Sequence, residues 1–180
     1  MDRETAIELL VDHYKHPRHH GPLPDADVSM PGGNPGCGDL VMMHVKADGN
    51  RIGAASFEGS GCTISQAAAS ILLRDVNREH TSFQDIQDYS YEDMLERLGR
   101  DVVGFRHRCA TLALATLKAA VRVIEMDEKL RAAGYSDDEI RELRDAAAKG
   151  VAGAGLVVGA GAHAASHDTS TRVPDPFTQK

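Results

Sequence analysis

Two short segments of alternating apolar and polar residues, Leu40 to Lys46 and Arg51 to Glu58, flank Asp48-Gly49-Asn50. Val41, Met43 and Val45 alternate with Met42 and His44, the two-residue period of a strand with one buried face. The Asp-Gly-Asn step suits a tight reversal, because glycine enters positive φ without steric cost. A hairpin of this kind leaves an apolar face that the rest of the chain must cover. A third, shorter strand is expected near Asp27 to Met30, which makes a small antiparallel sheet.

The cover is legible as helical periodicity. Residues 2 to 15 predict an amphipathic helix with Ala6, Leu9, Leu10 and Tyr14 on one side, stopped by Pro17. A loop dense in His, Pro and Gly follows, from His16 to Asp25. Thr63 to Asn77 places Ile64, Ala67, Ala68, Ile71 and Leu72 on one stripe. Shorter helices are expected at Ser82 to Gln87 and Tyr91 to Leu98. Ala110 to Leu130 is the longest periodic segment, with Leu114, Leu117, Val121 and Ile124 in register. Gly134 is a natural helix stop, and Ser136 with Glu139 forms a capping-box pattern that opens a helix to about Lys149. The expected fold class is α+β: a small three-stranded antiparallel sheet packed by helices. One domain spans residues 1–130, an additional helix 131–150, and a Gly/Ala-rich tail of low burial potential 151–180.

Bulk properties narrow the function. The formal net charge of −7, from 20 basic and 27 acidic residues, argues against nucleic acid as a partner, since phosphate neutralisation needs a basic face. Apolar residues make up 42% of the 180, enough for a core, but without Trp it must be built from aliphatic side chains. Acids at Asp2 and Glu4 argue against a signal peptide, and Val151 to Ala162 is shorter than the ~20 residues of a membrane helix. No membrane association is expected. Three cysteines, an odd number, do not make a secreted disulfide framework. A cytoplasmic chain with reduced thiols is the expectation.

The chemistry concentrates in three strings. In NPGCGD, Cys37 sits among glycines and Asp39 follows two residues later; if both are extended, thiolate and carboxylate share one side. In EGSGCT, Cys62 falls where the third strand gives way to a helix, whose free amides favour a thiolate. In FRHRCAT, Cys109 opens the long helix beside Arg106, His107 and Arg108. None of the three lies on an evident apolar stripe. Three sulfurs and a carboxylate form a tetrahedral set suited to zinc or to the iron of a cluster. A structural zinc module would favour Cys or His in all four positions. A thiol hydrolase or peroxidase would need His107 as an oriented base. His16, His19 and His20 read as a solvated turn, and His44 as lining a sheet face.

The strings HYKHPRHHGPL, NPGCGD, FEGSGCTISQAAASIL and RCATLAL, taken in order over residues 5 to 127, resemble the iron–sulfur cluster assembly scaffold family of the NifU N-terminal domain, IscU and SufU. The resemblance implies the same α+β fold. It implies that Cys37, Asp39, Cys62 and Cys109 bind a transient [2Fe–2S] cluster or Zn2+. It also implies that Cys109 accepts persulfide from a cysteine desulfurase of the SufS/IscS kind, with delivery to recipient apo-proteins or cluster carriers. Such a protein is a scaffold or sulfur acceptor rather than an enzyme. Two positions depart from IscU. Arg108 stands where IscU carries His, and Gly99 to Phe105 replaces a Leu-Pro-Pro-Val-Lys segment read by a chaperone. Arg106, three residues before Cys109, brings the chain closer to SufU. Cys109 is expected to be more exposed than Cys62, and its thiolate to be stabilised by Arg106 and Arg108.

Overall fold

The computed structural model describes residues 1–152. Its elements run α1 (Arg3–Lys15), β1 (Val28–Asn34), β2 (Asp39–Asp48), β3 (Arg51–Ser60), α2 (Thr63–Glu79), α3 (Phe83–Asp88), α4 (Tyr91–Leu98), α5 (Arg100–Val103), α6 (His107–Ala132) and α7 (Asp137–Ala152). The three strands form one antiparallel sheet in the order β1-β2-β3. The expected α+β class is therefore the observed one. The expected tail, apart from its first two residues, lies outside the described residues.

The hairpin turns through Gly49 and Asn50, with Gly49 at φ +56°. Val41, Met43, Val45, Ala55 and Phe57 are buried on one face of the sheet, together with Val28 and Met30. Against that face lie α2, through Ala67, Ala68 and Ile71, and α6, through Ala110, Leu114, Leu117 and Val121. Removing this aliphatic surface from water is the main stabilising term, at about 25 cal/mol per Å2. Local signals set the helix ends. Asp2 accepts the Thr5 amide at 2.9 Å, Ser90 and Asp93 form a capping box on α4, and Ser136 and Glu139 do so on α7. Gly134, at φ +95°, ends α6. Ile140 is buried and Arg144 Nε donates to Asp127 Oδ1 at 2.9 Å, which seats α7 on α6.

β1 runs four residues past the expected stop at Met30, through Pro31, Gly32 and Gly33. An edge strand tolerates the missing amide of proline. Gly32 is required for a different reason: a Cβ there would lie 2.0 Å from Thr116 Oγ1, with Thr116 Cβ and Cγ2 at 3.1 and 3.2 Å. Because all three atoms are close, rotating Thr116 does not clear the space. Gly32→Ala is expected to lower stability by about 1–3 kcal/mol. Combining it with Thr116→Ala should recover most of the loss; urea unfolding of both variants checks this.

On α1 the buried positions are Ala6, Leu10 and His13, whereas Tyr14, expected inside, is 47% exposed. His13 is accommodated because both ring nitrogens are satisfied. Arg74 Nη1 donates to Nε2 at 3.1 Å, so Nδ1 carries the hydrogen and donates to Ser70 Oγ at 2.7 Å. Burial, then the charges of Arg18 and Arg74, hold its pKa down to about 4, despite Asp12 and Asp75 nearby. The unfolded chain takes up this proton at about pH 6.5. The stabilising contribution is thus complete above that pH and declines as pH falls toward 4. His13→Gln is expected to flatten the fall in Tm between pH 6.5 and 4, measured by thermal unfolding across that range.

The histidine-rich loop is more than a solvated turn. Phe57 N–H donates to the His19 carbonyl at 2.9 Å, Gly21 N–H donates to the Phe57 carbonyl at 2.8 Å, and the His20 ring meets Phe57 edge-on. The loop thereby covers the outer edge of β3, a position otherwise open to pairing with another chain.

Candidate metal centre

Three elements meet at one end of the sheet. The loop between β1 and β2 carries Cys37, closed by the Asn34 carbonyl, which accepts the amides of Cys37 at 3.0 Å and Gly38 at 2.9 Å. Asp39 is the first residue of β2, directly opposite Asn34. Cys37 therefore lies in a turn and not in extended chain, yet its sulfur and the Asp39 carboxylate still reach one point. Cys62 is the N-cap of α2. Cys109 lies in the third position of α6, because that helix starts at His107 and not at Ala110.

The ligand atoms of Cys37, Asp39 and Cys109 all lie within 4.8 Å of one another. Cys109 Sγ is 3.3 Å from Cys37 Sγ. Asp39 Oδ1 accepts the Cys62 amide at 2.8 Å, and Cys62 Sγ is 3.9 Å from Asp39 Oδ2. All four residues expected from the sequence thus adjoin one another, three of them in a mutually close set. Gly61 makes room for the carboxylate: a Cβ there would lie 2.6 Å from both Asp39 Oδ1 and Ser65 Oγ. Asn34, which sequence reasoning passed over, turns its amide inward, with Nδ2 3.5 Å from Cys109 Sγ.

The exposure of the thiols corrects the sequence expectation. Cys37 is exposed, Cys62 half-buried, and Cys109 only 1% exposed. Cys109 shares a helix face with Ala113, Thr116 and Ala120, all buried, so it does lie on a packed stripe, one made of small residues. Burial pushes the Cys109 thiol up, reinforced by hydrogen bonding with Asp39 and Cys37. Without a cation it is a protonated thiol, the opposite of the stabilised thiolate expected there. Arg106, His107 and Arg108 all point to solvent, and no histidine joins the ligand set among the described residues.

The donor chemistry fits a metal. Asp39 is 1% exposed and is held by an amide, with no basic side chain in ion-pair distance among the described residues. A buried carboxylate beside three thiols needs a compensating cation. Three sulfurs and one oxygen suit Zn2+ or the iron of a cluster, and the carboxylate is the weakest of the four for a soft metal.

Known proteins resemble this chain over the region that holds the site. The NifU-like N terminal domain family matches residues 7–130. The zinc-dependent sulfurtransferase SufU of Bacillus subtilis is 35% identical over 130 residues, covering 63% of this chain and 87% of the relative. The iron–sulfur cluster assembly scaffold protein IscU of Streptococcus pyogenes is 33% identical over 131 residues, covering 64% and 82%. A crystal structure described as a candidate iron–sulfur cluster assembly scaffold protein for the SUF system, from Fervidobacterium islandicum, aligns at TM-score 0.54 and 26% identity, covering 67% of this chain and 99% of that one. The family match stops just short of the end of α6, and α7 lies beyond it. With its sheet, its helical cover and its Cys-Asp-Cys cluster all in the matched region, the chain belongs to the NifU-like N-terminal domain family, among the iron–sulfur cluster assembly scaffolds of the IscU and SufU kind.

Proposed function

We propose that this protein accepts persulfide sulfur from a cysteine desulfurase in the cytoplasm. It would hold zinc or a [2Fe–2S] cluster at Cys37, Asp39, Cys62 and Cys109, for delivery to apo-proteins or cluster carriers. The observation that carries this reading is the close set of Cys37, Asp39 and Cys109, in which the carboxylate is buried with no counter-charge among the described residues. Family membership supports it.

Exposure favours Cys37 as the thiol on which sulfur arrives. Sequence resemblance pointed to Cys109, but a partner's persulfide has to be reached from outside, and Cys37 is the exposed member of the pair. In the transfer, the Cys37 thiolate attacks the outer sulfur of the desulfurase persulfide. A new S–S bond forms, the old one breaks, and the desulfurase cysteine leaves as a thiolate with no net redox change. Leu40, next to Asp39, and Phe105, four residues before Cys109, are large exposed apolar side chains. With Arg106 and Arg108 they give a partner surface both apolar and basic anchors.

Zinc, when bound, would supply the compensating charge and hold the thiols deprotonated. The zinc-bound relay is favoured over the cluster scaffold by Arg108, which removes the extra histidine of IscU, and by the name of the Bacillus subtilis relative. Purification under anaerobic conditions, with metal and sulfide analysis and a visible spectrum, separates the two. Zinc without charge-transfer bands is the expected result; iron and acid-labile sulfide in equal amounts would replace the relay with the scaffold.

A further inference from the structure

Among the described residues outside the candidate ligand set, the buried Asn34 side chain reaches the sulfur of Cys109. Asn34 is 6% exposed and ends β1. Its two halves act on two different thiols. Its backbone carbonyl closes the turn that carries Cys37, through the amides of Cys37 and Gly38. Its side-chain Nδ2 lies 3.5 Å from Cys109 Sγ, across 75 residues of chain. Its Oδ1 is on the other side, where a Cβ on Gly36 would lie 3.6 Å away. An amide has no charge, so it can be buried beside a metal-binding sulfur where a lysine or arginine would compete with the metal. It is also a donor, and a sulfur that carries negative charge accepts from it.

We propose that Asn34 is a positioning residue that holds Cys109 Sγ against Cys37 Sγ, so that sulfur arriving on Cys37 is drawn inward to Cys109. The transfer half of this inference rests on the reading above; the positioning half does not. In the inward step the Cys109 sulfur attacks the outer sulfur of the Cys37 persulfide. A bond forms between Cys109 Sγ and that sulfur, the bond to Cys37 Sγ breaks, and the proton that Cys109 loses passes to the departing Cys37 sulfur, which leaves as a thiol. No oxidant or reductant is consumed. Before any sulfur is loaded the two thiol sulfurs lie 3.3 Å apart, which makes Cys109 Sγ the neighbour of whatever Cys37 carries, and the Asn34 amide is what keeps a buried, helix-borne thiol facing a loop-borne one.

The test uses the full chain with Asn34→Asp, which keeps the size but replaces the donor with an acceptor, and Asn34→Ala, which removes the group. Both keep the backbone carbonyl that shapes the loop. In metal-free protein, diamide takes two electrons and two protons from Cys37 and Cys109 and joins them as a disulfide, quantified by peptide mass mapping. Losing one hydrogen bond to a sulfur is expected to slow this about fivefold in either variant. Cobalt(II) titrated into the same proteins gives thiolate-to-metal charge-transfer bands. These are expected to move to lower energy in both variants, because an N–H donor withdraws electron density from sulfur; a merely structural role would not move them. After desulfurase loading, the persulfide share on Cys109 should fall and that on Cys37 rise. Native disulfide rates and native band positions in both variants would overturn the assignment. Absence of persulfide from the native chain would instead overturn the sulfur-acceptor reading and leave the diamide and cobalt results to judge Asn34.

Discussion

Gly61→Ala is expected to lower zinc affinity about 10–100-fold, the usual cost of disturbing a group that supports a metal ligand. The added Cβ would sit 2.6 Å from Asp39 Oδ1 and 3.0 Å from Asp39 Cγ. The carboxylate cannot retreat without breaking its 2.8 Å bond to the Cys62 amide, and it is already enclosed at 1% exposure. Ser65 Oγ, at 2.6 Å, is held by its own bond to the Cys62 carbonyl. The strain therefore passes into the start of α2 and shifts Cys62 with it. Gly36→Ala is the matched control, since its Cβ would meet only Asn34 Oδ1, at an ordinary 3.6 Å. Competition against a zinc-binding dye measures both variants. Equal affinities for Gly61→Ala and the native chain would mean that Asp39 is not a ligand.

Zinc added to the stripped protein is expected to raise Tm by roughly 5 °C or more, and the rise should vanish in Asp39→Ala and Cys109→Ser. The site brings the loop before β2, the first residue of β2 and the start of α6 together, and Asp39 joins the start of α2 to them through the Cys62 amide. Metal bound only by the native state stabilises it by RT ln(1 + [L]/Kd), about 4 kcal/mol at a thousandfold excess over Kd. The metal also removes the electrostatic cost of burying Asp39 and ionising Cys109. Thermal unfolding with and without zinc checks it. An unchanged Tm with zinc bound would place the ion elsewhere on the surface.

Periodicity made most of the fold legible. The turn at Gly49 and Asn50, the start of α2 at Thr63 and both ends of α4 fall where alternation, capping residues and glycine placed them. β1 was underestimated because Pro31-Gly32-Gly33 reads as a break, whereas an edge strand tolerates the proline and the tight approach of Thr116 demands the glycine. α5 was not foreseen, since four residues carry no period. Tyr14 and His13 exchanged places because a histidine with both nitrogens satisfied by Ser70 and Arg74 can be buried, and those partners lie on a different helix.

Within the site, the four residues that gather at this end of the sheet were legible from three strings of sequence, but their exposure was not. Cys109 shares its helix face with Ala113, Thr116 and Ala120, residues too small to register as an apolar stripe, so its burial went unseen. The basic residues beside it suggested an activated, accessible thiol; they turn to solvent, and the packing against β1 decides instead. Asn34 had one usable signal. It opens the NPGCGD turn opposite Asp39, where a side-chain amide of the right length can reach inward.

The most direct test of the account is to mix the protein with a cysteine desulfurase and cysteine, without reductant, and map the added sulfur by mass spectrometry. The expected result is persulfide confined to Cys37 and Cys109, lost from both in Cys37→Ser and kept on Cys37 in Cys109→Ser. Persulfide forming on Cys109 at the native rate in Cys37→Ser would contradict arrival at the exposed thiol, and a chain that takes up no sulfur at any of its three cysteines would contradict the function itself.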